Sequence, residues 1–208
     1  GPFDTAEIIV EFIQAAINNH VEVVELDVRQ RPNGTLVMSH DLVVTNNDGV
    51  ELSEALALLK GTGILINLDI KETKTLNALH DLLVEYDVYA YSFLTGIEES
   101  DVSAVKDSTC RDLDYYLNSQ PSRWRIFTED YQKRILETLE KTGAVGINCN
   151  FKYAGGQLSD LLHSNGYKLS VWTVNRSKDI KRVLVLKPDN ITTKQYDLLT
   201  TTISSWGN

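Results

Sequence analysis

Residues 21–28 read VEVVELDV, and from Asp27 the chain continues as DVRQRPNGTLVMSHD to Asp41. The valine-rich first run predicts a short strand that is buried on both faces. Glu25 and Asp27 lie two residues apart, so their side chains should leave this strand on the same face. Two buried carboxylates on one face repel each other and lose hydration, and a bound cation or a catalytic role usually compensates for this cost.

A hairpin is predicted after this strand, because the dipeptide Asn33-Gly34 is a strong tight-turn signal. A second extended run over residues 35–39 would then bring His40 and Asp41 back towards the carboxylates. Two carboxylates and a histidine would meet within 16 residues of sequence. In the alternative interpretation, the carboxylates face solvent on an edge strand and His40 caps a loop.

Length and composition limit the classes of protein to consider. A chain of 208 residues with 42% hydrophobic residues is predicted to form one globular domain, residues 1–208. The net charge of −9 argues against nucleic acid as a partner and disfavours adsorption to anionic membranes. No run approaches 18 apolar residues, so we expect no transmembrane segment.

The two cysteines, Cys110 and Cys149, lie far apart in the sequence and lack the spacing of metal ligands. They are most simply buried thiols of a protein in a reducing compartment, which favours a cytoplasmic location.

Strand and helix patterns alternate along the whole chain, which indicates parallel strands covered by helices. This order fits either an α/β barrel or an open, doubly wound sheet, and the absence of a glycine-rich phosphate loop weakens a nucleotide-binding sheet. Seven barrel strands are predicted, at residues 21–28, 63–71, 88–94, 111–117, 144–148, 167–174 and 190–193. The predicted helices cover residues 6–19, 52–60, 73–86, 98–106, 130–142, 157–164, 178–186 and 196–203.

The motifs E-x-D-V from Glu25, N-G at residues 33–34 and V-x-x-H-D ending at Asp41 resemble, at this spacing, the glycerophosphodiester phosphodiesterase family. The resemblance implies a (β/α)8 barrel. It also implies that Glu25 and Asp27 are metal ligands and that His40 is an acid/base catalyst.

Two further stretches extend the resemblance. The family has Glu-x-Lys where this chain has Asp69-Ile70-Lys71, so Asp69 is the implied third metal ligand and Lys71 the implied catalytic positive charge at the phosphate. Three carboxylates suit a hard divalent cation, Mg²⁺ or Ca²⁺. Asp69 is one methylene shorter than the family's glutamate.

Two aromatic residues resemble substrate-binding positions of the family. The segment Trp172-Thr173-Val174-Asn175 matches a W-T-V-N motif whose tryptophan helps to wall the substrate pocket, although a lone tryptophan is more commonly a core residue. Ser92-Phe93 is similar to the S-F pair at the end of another family strand, which places Phe93 at the substrate.

The sequence also departs from the family pattern. Residues 2–5 resemble a P-E-N-T stretch that follows, by roughly ten residues, a first strand ending in His-Arg-Gly, and that strand is missing from this sequence. Thr193 stands where the family's closing segment has aspartate. We therefore expect a barrel without its first strand, and expect these 208 residues to be nearly inactive while the parent protein is active.

The implied function is metal-dependent hydrolysis of glycerophosphodiesters, which are small molecules, to an alcohol and glycerol 3-phosphate. The nucleophile could be water or a neighbouring hydroxyl of the substrate. Two alternatives stay open at this point. The chain could be an inactive barrel that binds a phosphodiester or a protein partner, or it could act on lysophospholipids in the manner of a lysophospholipase D.

Overall fold

The structure, a computed structural model, describes residues 6–206. The match at residues 2–5 lies outside the described residues. The chain forms two compact units, the first ending at Asp114 and the second beginning at Tyr115. The expectation of one domain over residues 1–208 stays a prediction.

The strands of the first unit follow the spatial order β3-β2-β1-β4-β5. Strands β1, β4 and β5 run parallel, whereas β2 and β3 extend the sheet as antiparallel strands. Their bounds are β1 Val23–Gln30, β2 Leu36–Met38, β3 Val50–Glu51, β4 Leu65–Ile70 and β5 Ser92–Ile97.

The hairpin between β1 and β2 forms as predicted. Gly34 has a φ of 93°, a conformation that glycine adopts at little cost, and its amide donates to the carbonyl of Arg31. The returning strand pairs Met38 with Val28, so residues 39–41 arrive beside the middle of β1.

Burial on β1 alternates along the strand. Val24, Leu26 and Val28 are buried on one face, whereas Glu25 and Asp27 lie half-buried on the other. The two carboxylates do share a face, as their spacing predicts, but the expected burial on both faces is wrong. A half-buried carboxylate keeps part of its hydration, and this lowers the cost of holding two of them together.

Four helices accompany the sheet of the first unit. They are α1 Ala6–Asn18, α2 Leu52–Leu59, α3 Leu76–Glu85 and α4 Val102–Asp107. In α2 the buried residues recur at helical spacing, which turns one apolar face towards the core. The core of this unit is largely aliphatic, and its fully buried side chains include Leu52, Leu56, Leu59, Ile66, Leu68, Leu76, Leu79, Leu83 and Leu94.

The second unit repeats the strand-helix alternation. Its four strands are parallel and follow the order β6-β7-β8-β9. They are β6 Tyr115–Asn118, β7 Gly146–Asn150, β8 Lys168–Trp172 and β9 Asn190–Ile191. The helices are α5 Glu129–Thr142, α6 Gly156–Ser164, α7 Ser177–Leu184 and α8 Tyr196–Ser204.

Within the described residues, the seven expected parallel strands are present and the α/β class is confirmed. Closure into an eight-stranded barrel stays a prediction. Among residues 6–206, none of the helices combines the length and the apolar character needed to cross a membrane.

Candidate metal centre

Strands β1 and β4 bring the predicted carboxylates together. They are parallel neighbours whose register sets Glu25 opposite Asn67 and Asp27 opposite Asp69. Residues opposite each other in a sheet point to the same face, so these four polar side chains form a compact group. One carboxylate oxygen each from Glu25, Asp27 and Asp69 lies within 4.8 Å of the other two.

This carboxylate group has the chemistry of a site for a hard cation. Carboxylate oxygens are the ligands that Mg²⁺ and Ca²⁺ take in proteins, and the separation of the three oxygens would allow one ion to reach all of them. The three carboxylates could therefore hold a metal ion. Asp69 takes its place in the group although it is shorter than the glutamate of the resembled family.

The Lys71 ammonium lies against the same group. Its Nζ is 2.8 Å from Oδ1 of Asp27 and 2.5 Å from Oδ2 of Asp69. Burial lowers the pKa of Lys71, but hydrogen bonds and charges from the two aspartates outweigh it, so this pKa lies above its usual value. Lys71 is therefore a fixed positive charge at physiological pH.

At Asp69, in contrast to Lys71, burial determines the direction of the pKa shift. Burial raises its pKa, and the neighbouring Asp27 charge raises it further, whereas Lys71 only partly offsets them. The net shift is upward. The three carboxylates outnumber the single ammonium by two charges, which is the charge of one divalent cation.

Two buried polar side chains, Asn67 and Thr95, form hydrogen bonds that orient the carboxylates. Asn67 and Thr95 are each 1% exposed. The Asn67 amide donates to Oε2 of Glu25 at 3.1 Å, and the Thr95 hydroxyl donates to Oδ1 of Asn67 at 2.8 Å. The Thr95 hydroxyl also lies 3.4 Å from Oδ1 of Asp69. Hydrogen bonds of this kind orient the ligands of metal sites.

Gly96 on β5 lies tightly against Asp69. A Cβ placed on Gly96 would lie 2.5 Å from Oδ1 of Asp69 and would also overlap the carbonyl of Ile70. Its φ of 78° adds backbone strain for any other residue. Position 96 therefore needs glycine for the Asp69 carboxylate to stay where it is.

His40 reaches this end of β1 through its backbone. The Ser39 amide donates to the carbonyl of Asp27 at 3.2 Å, and Arg29 donates to the carbonyl of His40 at 3.3 Å. The imidazole itself is 82% exposed, with Nδ1 at 3.2 Å from Oδ1 of Asp41. This hydrogen bond is the largest cause of a lowered Asp41 pKa. The sequence prediction that His40 returns towards the carboxylates holds for its backbone, and its acid/base role stays a prediction.

The two predicted aromatic residues lie in different units. Phe93 is half-buried on β5 opposite Asn67, so it shares the face that carries the carboxylates. Trp172 ends β8 in the second unit, and its indole Nε1 is buried without a hydrogen-bond partner among residues 6–206. The substrate-binding role of both residues stays a prediction.

Three residues near the carboxylates have contacts that were not predicted from the sequence. Asn67 and Thr95 support the carboxylates, and Arg29 lies 3.6 Å from Glu72 while it holds the His40 carbonyl. A signal existed for Asn67, which stands two positions before Asp69 on the same strand face.

Comparisons with known proteins gave different results for the sequence and for the fold. No family model matches the sequence, and no curated protein matches it.

Solved structures, in contrast, match along almost the whole chain. A Silicibacter pomeroyi protein assigned to the glycerophosphoryl diester phosphodiesterases has a TM-score of 0.79 at 14% identity, over 95% of this chain and 88% of its own. An Oleispira antarctica phosphodiesterase, in complex with its product sn-glycerol-3-phosphate, has a TM-score of 0.75 at 16% identity, over 94% and 90%. A glycerophosphodiester phosphodiesterase of Parabacteroides distasonis has a TM-score of 0.74 at 14% identity, over 94% and 90%.

At these identities the likeness concerns the fold. The chain therefore shares its fold with proteins named as glycerophosphodiester phosphodiesterases.

Proposed function

We propose that this protein is a metal-dependent phosphoric diester hydrolase that cleaves glycerophosphodiesters to an alcohol and glycerol 3-phosphate. The observation that carries the proposal is the group formed by Glu25, Asp27, Asp69 and Lys71. It places three carboxylates, whose oxygens suit a hard cation, beside the Lys71 ammonium. The shared fold and the glycerol phosphate bound by the Oleispira antarctica protein support the choice of substrate class.

Glu25, Asp27 and Asp69 would hold one Mg²⁺ or Ca²⁺. The ion, when bound, supplies positive charge that neutralises and orients the phosphate of the substrate. The donor set fits such an ion, because all three ligands are oxygen atoms and their charge exceeds that of Lys71 by two.

Lys71 contributes a second positive charge at the phosphate. Two carboxylates hold its ammonium, so the charge is already oriented before substrate arrives. A phosphate oxygen that comes to Lys71 would replace one of these aspartate contacts, which leaves that carboxylate available as a ligand.

His40 supplies proton transfer at a bridging or attacking oxygen. Its exposed imidazole is accessible to a small substrate, and its bond to Asp41 restrains the ring. Phe93, which shares the sheet face of the carboxylates, contacts the organic part of the substrate. The implied substrate-binding role of Trp172 stays a prediction.

The proposal is tested by following release of glycerol 3-phosphate from glycerophosphocholine and glycerophosphoethanolamine. The assay uses Mg²⁺, Ca²⁺ or excess chelator, and the natural polypeptide with any residues that precede Gly1. We expect turnover that the chelator abolishes, and that Asp27→Asn abolishes in either metal. Glu22→Gln, an exposed neighbour on the same segment, is the matched control.

The inactive-barrel alternative makes a different prediction. A binding protein would take up the cation and glycerol 3-phosphate without any turnover by that polypeptide. A lysophospholipase-type enzyme would release its product from lysophosphatidylcholine and leave glycerophosphocholine intact.

A further inference from the structure

The segment over residues 39–49, which we call the His40 loop, joins β2 to β3 and carries the exposed imidazole of His40. Residues 39–49 form neither helix nor strand. Val43 is buried, whereas Leu42 and Val44 are 67% and 66% exposed. A segment with so few buried apolar side chains has little stability of its own. Hydrogen bonds from outside the loop therefore determine where His40 lies.

Arg31, the residue just after β1, holds the far end of the His40 loop. Its Nε and Nη2 each donate at 2.9 Å, to the carbonyls of Asp48 and Gly49 respectively. Its Nη1 donates to Oε1 of Glu51 at 3.2 Å, and the side chain is only 13% exposed. Three donors of one rigid, planar guanidinium thus meet three acceptors, an arrangement that a lysine cannot reproduce.

Arg29 holds the near end of the loop. Its Nη2 donates to the carbonyl of His40 at 3.3 Å, and its Nη1 lies 3.6 Å from Oε1 of Glu72. The Nε of Arg29 is buried and has no hydrogen-bond partner among residues 6–206. A buried donor without a partner is destabilising, so stability of the fold does not by itself account for an arginine at position 29.

The turn that follows β1 makes a third contact with the loop. The backbone amide of Asn33 donates to Oδ1 of Asn46 at 3.0 Å. Together with the two arginines, β1 and its turn therefore contact the His40 loop at its beginning, middle and end. Because β1 also carries Glu25 and Asp27, the loop and two of the carboxylates share one rigid support.

We propose that Arg29 and Arg31 are positioning residues, which set where the His40 imidazole lies relative to the carboxylate group without contacting the substrate. This inference rests on the proposed function, because it assigns both arginines to the proton-transfer step of His40. Arg29 fixes the His40 backbone directly, and Arg31 does so by holding the other end of the loop. Their effect is on kcat, since a misplaced acid or base slows proton transfer while metal and substrate still bind.

The test uses the same polypeptide and glycerol 3-phosphate release assay as the proposed function. Arg29→Met and Arg31→Met should each lower kcat by about tenfold or more, with KM and Mg²⁺ affinity unchanged. Arg29→Lys should recover most of the loss, because one donor is enough for one carbonyl. Arg31→Lys should recover little, because the planar contact with three acceptors is gone. A rise in KM or a loss of Mg²⁺ affinity without a fall in kcat would overturn the proposal.

A double-mutant cycle tests whether the arginines act through His40. In a His40→Ala background, adding Arg29→Met or Arg31→Met should change kcat by less than about twofold, because the residue to be positioned is absent. Equal fold losses in the His40→Ala and unaltered backgrounds would show that the arginines act independently of His40, and would refute the proposal.

Hydrogen exchange measures the support of the His40 loop without any turnover. Amides of residues 39–49 should exchange faster in both methionine variants than in the unaltered protein. Arg111→Met, which alters an exposed arginine of the first unit, is the matched control and should change neither exchange nor kcat. Absence of turnover by the unaltered protein would refute the proposed hydrolysis and this inference with it. Turnover together with unchanged exchange in both methionine variants would overturn the positioning role alone.

Discussion

The side-chain amide of Asn67 donates a 3.1 Å hydrogen bond to the carboxylate of Glu25, 42 positions earlier in the chain. Asn67 in turn accepts from Thr95, so one buried amide joins β1, β4 and β5. This bond restrains the orientation of the Glu25 carboxylate beside Asp27 and Asp69. The geometry of the carboxylate group thus depends on a residue that carries no charge.

Replacing Asn67 with leucine should weaken divalent-metal binding by about 10–100-fold, because Glu25 loses its orienting donor. It should also lower the free energy of unfolding by about 1–3 kcal/mol, since the buried Thr95 hydroxyl loses the closer of its two acceptors. Calorimetric titration with Mg²⁺ and Ca²⁺, and urea unfolding, measure the two effects. Thr95→Val is the companion variant, with a smaller effect on metal affinity. Unchanged affinity in Asn67→Leu would show that Glu25 needs no support.

Lys71→Met should separate metal binding from phosphate binding. The ammonium contacts both Asp27 and Asp69, so its removal leaves two repelling carboxylates and a stronger site for a cation. We expect Mg²⁺ affinity to be kept or increased, while affinity for glycerol 3-phosphate and turnover fall. Lys74→Met, which alters an exposed lysine three residues away, is the control. A loss of Mg²⁺ affinity in Lys71→Met would contradict this interpretation.

Acidification should release the cation from this site at a higher pH than from ordinary aspartates. Burial raises the pKa of Asp69 more than Lys71 lowers it, so Asp69 takes up a proton above the usual aspartate range. A protonated carboxyl is a poor ligand, so metal affinity is complete above that pKa and is lost as pH falls through it. Calorimetry with Mg²⁺ between pH 7.5 and 4.5 measures the decline. Constant affinity over this range would refute the expectation.

His40→Ala should reduce turnover by about 10²–10⁴-fold, the usual contribution of a general acid or base. Metal affinity should stay unchanged, because the exposed His40 imidazole contacts Asp41 and does not belong to the group of side chains that could hold the ion. The measurements are a glycerol 3-phosphate release assay and titration with Mg²⁺. His20→Ala, at another histidine of the first unit, controls for loss of an imidazole.

The two thiols should resist modification in the folded protein. Cys110 and Cys149 are fully buried, and burial raises the pKa of the Cys110 thiol to about 11 and that of Cys149 to about 12. A thiolate is the reactive form, so both the burial of the thiols and their raised pKa values oppose reaction. A thiol-specific reagent should count no cysteine at pH 7.5 and two in concentrated urea. Rapid reaction of the native protein would contradict the burial of both.

Much of this fold could be predicted because its signals are local. The alternation of strands and helices and the turn at Gly34 depend on nearby residues, and so does the shared face of Glu25 and Asp27. The strand predicted at residues 88–94 lies instead at Ser92–Ile97. Its valine and tyrosines suggested an extended strand, whereas Tyr89–Tyr91 form a 3₁₀ turn.

The support for the carboxylates could not be predicted in the same way. Asn67 meets Glu25, and Thr95 meets Asn67, only through the register between neighbouring parallel strands. A single sequence contains the spacing within a strand but not the offset between strands. One of the Lys71 contacts could be predicted, because Asp69 and Lys71 are two residues apart on one face of the strand.

Gly96 has a consequence for how this protein can change during evolution. Any side chain there would push against the Asp69 carboxylate, so a substitution at position 96 would move this carboxylate while residue 69 itself stays the same. Lineages that keep the three carboxylates should therefore keep glycine at this position under purifying selection. Lineages that have lost one of the carboxylates should be free to drift there, and a comparison of the two groups would test whether the three carboxylates act as one site.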